Sequence, residues 1–411
     1  MKQIFSILFC AIILIISSNN VTAQGCVAVR QMGGVTPIGS TNLTGSSNSY
    51  NLSKGEFQIG ANYRHFHSWR HFVGTEEQPQ RQTTGGGIGT DGKDRGNAVN
   101  IYSHAVDLNL SYGLTSRIQL YVSIPYVHNE RSQVLRQTAP VVDTVRYSVF
   151  AKGLGDIRLG ANYWIFDPAT VRRGNVNVGI GIKLPTGSHS AVDQAPQSNG
   201  TIRYAVMDQA IQPGDGGLGI SLELQGFVQL YKGIYGFANG YYLFNPRESN
   251  GTFKSAPTVV KDENGNVLGT LTGYNVYASP DQYFARAGFM TSALKNKGLT
   301  FSLAGRLEGI PAYDAFGGQK AYRRPGYVVA IESGISYRTG QHSFSLFVPY
   351  NIVKNRIQSA ADIANQNLQN SVITDKTQMV HVQGDAAFAD YSLNVGYSYR
   401  IPMKKKHTSM H

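Results

Sequence analysis

From residue 57 onward the chain alternates apolar and polar positions with a period of two, the spacing that sends successive side chains to opposite faces of a β-strand. Phe57, Ile59, Ala61 and Tyr63 alternate with Glu56, Gln58, Gly60, Asn62 and Arg64. Val106, Leu108, Leu110 and Tyr112 stand against Asp107, Asn109 and Ser111, and Ile118, Leu120, Val122 and Ile124 against Gln119, Tyr121 and Ser123. The pattern recurs over residues 157–165, 176–184 and 220–229. Residues 234–244 are aromatic on both faces, which leaves their phase open. Further strands are predicted near 283–294, 299–309, 327–337 and 343–353, and a last one over 391–401, so the total is about twelve.

The connections sort by length. Short ones, rich in turn residues, fall at 113–116, 167–174, 231–233, 295–298 and 338–342. Long ones fall near 67–99, 129–152, 185–217, 247–281, 310–325 and 355–386, and the two kinds alternate without exception. A transmembrane antiparallel β-barrel produces this order, because its periplasmic turns are short and its extracellular loops long. A soluble sandwich gives no reason for such regularity. The fold class predicted is therefore all-β, a barrel with its apolar face toward lipid and its polar face toward the lumen. Tyrosines near strand ends, among them Tyr63, Tyr112, Tyr163, Tyr242, Tyr337, Tyr350, Tyr397 and Tyr399, suit the lipid headgroup boundary. Within the fourth long loop, residues 259–271 around Asn264-Gly265 read as a β-hairpin.

Composition narrows the alternatives. Of 411 residues only 15% are charged, while 46 are Gly and 24 are Tyr, unlike a charge-decorated soluble helical protein. Beyond the first twenty residues or so there is no apolar run of the roughly 18 residues a membrane helix needs. The formal charge is +12, but the dense basic run is confined to Lys404, Lys405 and Lys406, without nucleic-acid-binding motifs, so no nucleic acid partner is expected.

Lys2, an apolar stretch over 4–16 and Val21-Thr22-Ala23 compose a signal peptide, so export with a mature start at Gln24 is predicted. Cys10 leaves with it, and Cys26, in a poor lipobox context, is then a free thiol with no intramolecular partner. The organisation expected is signal peptide 1–23, N-terminal segment 24–53, barrel 54–401 and basic tail 402–411. The N-terminal segment reads either as a periplasmic leader or as a lumen plug.

Lumen phase collects Asp107, Arg158, Glu223, Arg286, Arg306, Glu308, Glu332 and Arg400. Arg286, Arg306 with Glu308, and Glu332 lie on consecutive predicted strands and can form a cross-strand ladder. It reads as structural pairing, since charges in a barrel must be paired or wet, or else as a substrate track. Trp69, Phe72, Trp164, Phe227 and Phe347 are the expected lining of an apolar pocket. His65, His67, His71 and His104 form a metal-like cluster, but their phase matches the lipid side, so interfacial aromatics rather than metal ligands are predicted. Asp262, Glu263 and Asn264 read as a turn rather than a calcium site. Two glycine fingerprints, from Gly87 and from Gly214, lack the strand and helix that a dinucleotide site needs. No hydrolase elbow, zinc-protease or Cys-x-x-Cys motif occurs, so no enzyme, metal or cofactor is expected.

Residues 153–163 (Gly-Leu-Gly-Asp-Ile-Arg-Leu-Gly-Ala-Asn-Tyr), residues 181–187 (Gly-Ile-Lys-Leu-Pro-Thr-Gly) and Ser111 to Arg117 before Ile124-Pro125 carry a resemblance. They look like the strand pairs of outer-membrane proteins of the meta-pathway of phenol degradation family, itself similar to the long-chain fatty-acid transporters. The resemblance implies a transporter or channel in the outer membrane of a Gram-negative bacterium, passing small hydrophobic or aromatic compounds. Expected partners are outer-membrane lipid and lipopolysaccharide, the solute, and the barrel-assembly machinery. The other reading is a plugged structural barrel whose loops bind a partner or envelope glycan.

Overall fold

The computed structural model describes residues 51–402, apart from 139–141, 172 and 292–297. The expected leader, the segment up to residue 50 with Cys26, and the tail from residue 403 lie outside the described residues.

Twelve antiparallel strands form one closed sheet. They are β1 (Phe57–Val73), β2 (Asn100–Gly113), β3 (Ile118–Gln137), β4 in two pieces (Asp143–Leu154 and Arg158–Trp164), β5 (Gly174–Lys183) and β6 (Gly219–Tyr231). Then come β7 (Ile234–Phe244), β8 (Gln282–Thr291), β9 (Leu299–Ile310), β10 (Gly326–Thr339), β11 (His342–Asn355) and β12 (Ala386–Ile401). Each strand pairs with its sequence neighbours, and β1 pairs with both β2 and β12, from Phe57 opposite Tyr112 on one side and Ile401 on the other. Closure removes the sheet edge, as hydrocarbon surroundings require. Among the described residues no helix is long and apolar enough to cross a membrane.

Burial is inverted relative to a soluble protein. Leu108, Ile180, Leu222 and Leu303 are 52–58% exposed, whereas Asn177, Ser221 and Glu223 on the alternate positions are at most 5% exposed. The apolar face therefore looks out at lipid and the polar face in. In β7 the odd positions Tyr235, Phe237, Asn239, Tyr241 and Leu243 are buried, which resolves its phase. An aromatic rim sits at the short-turn end, with Phe57 against Tyr112 at 4.6 Å and Phe344 against Tyr397 at 5.1 Å between ring centroids.

Three features depart from the sequence expectation. Residues 129–152 are not one long loop: β3 continues to Gln137 and β4 starts at Asp143, so only 138–142 connect them. β1 likewise extends to Val73, past the predicted loop start. The last long loop contains a helix, α1 (Ala360–Asn370), started by a capping box in which Ser359 Oγ accepts from the Asp362 amide and Asp362 accepts from the Ser359 amide. Its Leu368 lies over Gly269 of the hairpin formed by Thr258–Lys261 and Val267–Leu271, which turns through Gly265 at φ 85°.

Candidate functional site

Three layers fill the lumen. At the short-turn end Trp164, Phe227, Tyr235, Phe237, Met290 and Ala304 pack into an apolar floor. Trp164 is the last residue of β4 and Tyr235 the second of β7, so the inward phase of two strand ends supplies the core of this layer.

Above the floor lies a chain of charges. Arg286 of β8 donates to Glu332 of β10 and, at 2.6 Å, to Asn239 Oδ1. Arg306 of β9 donates to Glu332 at 2.7 Å and to Glu308 at 2.6 Å. Arg64 of β1 reaches Glu308 at 3.5 Å, so the chain runs from β8 across the interior to the opposite wall. The guanidinium of Arg306 also lies 4.7 Å from the centre of the Phe284 ring, and that of Arg286 lies 5.4 Å from Phe237 and 5.3 Å from Phe347. Beside this brace Tyr121 of β3 donates to Glu223 of β6, which also accepts from Ser221 at 3.2 Å. Tyr121 can cross there because β4 and β5 carry glycine beneath it: a Cβ on Gly160 or Gly181 would lie 2.6 or 2.5 Å from its hydroxyl oxygen.

At the long-loop end the mouth is capped. The loop between β5 and β6 folds inward, placing Met207 and Ile211 against Ile101, Val149 and Ala151. Asn129 donates to the Ile211 carbonyl at 2.8 Å, and Arg324 clamps Asp208 through two contacts of 2.6 Å. Burial would raise the Asp208 carboxyl, but Arg324 outweighs it and holds it well below the usual range. Phe72, Val328, Ala386 and Phe388 pack beside Ala210 of the same loop.

The wall has a seam between the two pieces of β4. The upper piece pairs with β3 alone, while the lower piece pairs with both β3 and β5. Pro125, opposite the break, has no amide to donate; its carbonyl accepts from Gly155 at 2.8 Å. Thr186 Oγ1 accepts from Ile157 N at 2.8 Å and donates to Gly155 O at 2.9 Å. Inside the seam Lys183, 1% exposed, is held by Asp156 at 3.3 Å and by Asp215. The upper edge is covered by the hairpin of Val192–Pro196 and Ile202–Val206, whose Asp193 accepts from Phe150 N at 2.7 Å.

Of the charges singled out from sequence, Arg158, Glu223, Arg286, Arg306, Glu308 and Glu332 are buried in the lumen. Asp107 is half-buried on β2, opposite Asn62 and Pro125. Arg400 lies apart, 3.8 Å from Glu56 at the short-turn end. The five aromatics do not form one pocket: Trp164 and Phe227 are in the floor, Phe72 is at the mouth, and Phe347 is beside the charged brace. Trp69 shares the outward side with His67, their rings 6.3 Å apart. Arg64, Tyr121 and Lys183 belong to the interior although sequence reasoning did not select them, and each stands in the inward phase of its strand.

No protein-family model matches the chain, and no curated protein matches it. Among solved structures, the COG4313 outer-membrane channel from Pseudomonas putida F1 aligns at 12% identity and a TM-score of 0.51, covering 87% of this chain and 98% of that one. A FadL homologue from Pseudomonas aeruginosa aligns at 10% identity and a TM-score of 0.38, covering 85% and 90%. The toluene transporter TodX of P. putida aligns at 12% identity and 0.40, covering 86% and 91%. The first likeness shows the fold, a closed antiparallel barrel shared with an outer-membrane channel.

Proposed function

We propose that this barrel transports small hydrophobic or aromatic compounds into the outer membrane, taking them in at the capped mouth and releasing them sideways through the seam of β4. The observation that carries the reading is the pairing of a blocked axis with an interrupted wall. Below the mouth the axis is crossed by buried ion pairs and an apolar floor, a poor route for water or for polar solutes. At the seam the sheet is held by side-chain and turn bonds instead of a ladder. An apolar solute gains by leaving toward lipid, where burial of its surface is favourable. The outer-membrane channel of the same fold supports a transport role, and the resemblance in residues 153–163 and 181–187 supports a hydrophobic cargo.

The test is uptake of a labelled monoaromatic hydrocarbon by cells lacking the protein, with and without the intact gene restored, alongside planar-bilayer recording of the refolded chain. Restored uptake with little ion current is expected. A steady open current, or uptake unchanged by restoration, overturns the reading.

A further inference from the structure

Four outward-facing positions line up across the wall. His65 of β1 is the register partner of His104 of β2, His104 of His128 of β3, and His128 of Lys152 of β4. The His65 and His104 rings stack at 4.4 Å, and Phe150 flanks His128 at 6.0 Å. On each strand this row is the first polar position above an apolar run. Beneath it lie Tyr63, Val106, Tyr126 and Leu154, and beneath those, on the first three strands, Ala61, Leu108 and Ile124. It therefore stands where hydrocarbon gives way to headgroups, at the long-loop end and so in the outer leaflet.

The row keeps ring nitrogens and one ammonium outside its internal bonds. His65 Nδ1 donates to Ser103 O at 3.2 Å and His104 Nδ1 is hydrogen-bonded to Tyr63 at 2.8 Å, which leaves the Nε2 atom of each ring. Lys152 and His128 are exposed and make no ion pair with a described residue. Glu130, one outward position above the row, accepts from the Ser148 hydroxyl at 2.6 Å and keeps its charge on that side, whereas Asp390 on the far side of β1 is paired with Arg70 and Lys354. Among the described residues no group of three or more His, Cys, Asp or Glu is placed to hold a metal ion.

We infer that Lys152 and His128, with the stacked pair His65 and His104 beside them along the row, form a docking site for the phosphate of a phosphorylated glycolipid in the outer leaflet, with its acyl chains lying down the apolar rows beneath. The ammonium of Lys152, exposed and in no ion pair with a described residue, and continuity with the lipid-facing girdle both favour this occupant. The site is separate from the lumen and stands whether or not the barrel transports solute.

Native mass spectrometry of the full chain in detergent, titrated with lipid A and with enzymatically dephosphorylated lipid A, tests it. Loss of one charge-assisted contact corresponds to roughly tenfold in affinity, so at least about tenfold preference for the phosphorylated form is expected. The double variant Lys152→Gln, His128→Gln should abolish the preference while keeping the heat-modifiable gel shift of a folded barrel and wild-type solute uptake. Equal binding of the two lipids, or a preference that survives in the folded double variant, overturns the inference. So does saturation by inorganic phosphate at the same affinity as lipid, or retention of added zinc in place of lipid. Should the variant not fold, the wild-type ratio between the two lipids still decides.

Discussion

Glu332 sits between two guanidinium groups, and its removal separates two roles a buried ion pair can have. Burying charges is costly enough that such a pair adds little net stability, yet removing one partner leaves the others uncompensated. Glu332→Gln should therefore destabilise the barrel by about 3 kcal/mol, read as a lower urea midpoint in detergent micelles. It should also raise ion current in planar bilayers, because Arg286 and Arg306 lose their shared anchor. Unchanged current in a folded variant would mean that the floor alone seals the axis. At this scale the sequence is informative about face and silent about partners. Period two places Arg306 and Glu332 inward, and places Arg64 there too, but the contact of Arg64 with Glu308 depends on the stagger with which the sheet closes. For the same reason the aromatics selected by phase separate by height into floor, brace and mouth.

Among the elements, β4 is the one whose break has a mechanical reading. Thr186→Val removes a bond to each side of the seam while keeping the side-chain shape. A loss of about 1–2 kcal/mol in barrel stability is expected from the two hydrogen bonds, together with faster solute entry in the uptake assay. Slower or unchanged entry would count against the seam as the exit. Strand number and the long-short rhythm of the connections are legible because the contrast between lipid and lumen is strong along the spanning residues. The contrast fades above the membrane, where neither face meets lipid, and residues 129–137 accordingly read as loop although β3 runs through them. Helix α1 escapes a reading by apolar periodicity because its large apolar side chains are Ile363 and Leu368 alone, too few to mark a face. Ser359 followed by Asp362 three residues on is nonetheless a capping-box signal that the sequence carries.

For the molecule as a whole, the mouth is a set of clamps between distant loops, and one of them titrates. Asp385, just before β12, accepts from His71 at 2.6 Å and from Arg81 at 2.5 Å. Burial alone would raise its carboxyl, but these two partners bring it from 3.8 down to about 2. A depressed carboxyl contributes stability that is present above its ordinary value and is lost as pH falls through the folded one. Spin labels placed in the loops near residues 81 and 385 should thus stay immobile at neutral pH and gain mobility only as pH falls from 3.8 toward about 2. Mobility already high at neutral pH would mean that the clamp does not hold. Closure itself follows from the alternation; the inward fold of the loop around Met207 does not, because its apolar residues follow no period.

The contact of Arg64 with Glu308 joins residues 244 positions apart. The pairing with Glu308 therefore exists only in a state where β1 and β9 stand in the same closed wall. The interior of the barrel thus ties its first strand electrostatically to one of its last, and a chain truncated before β9 would leave Arg64 without Glu308 and the wall open.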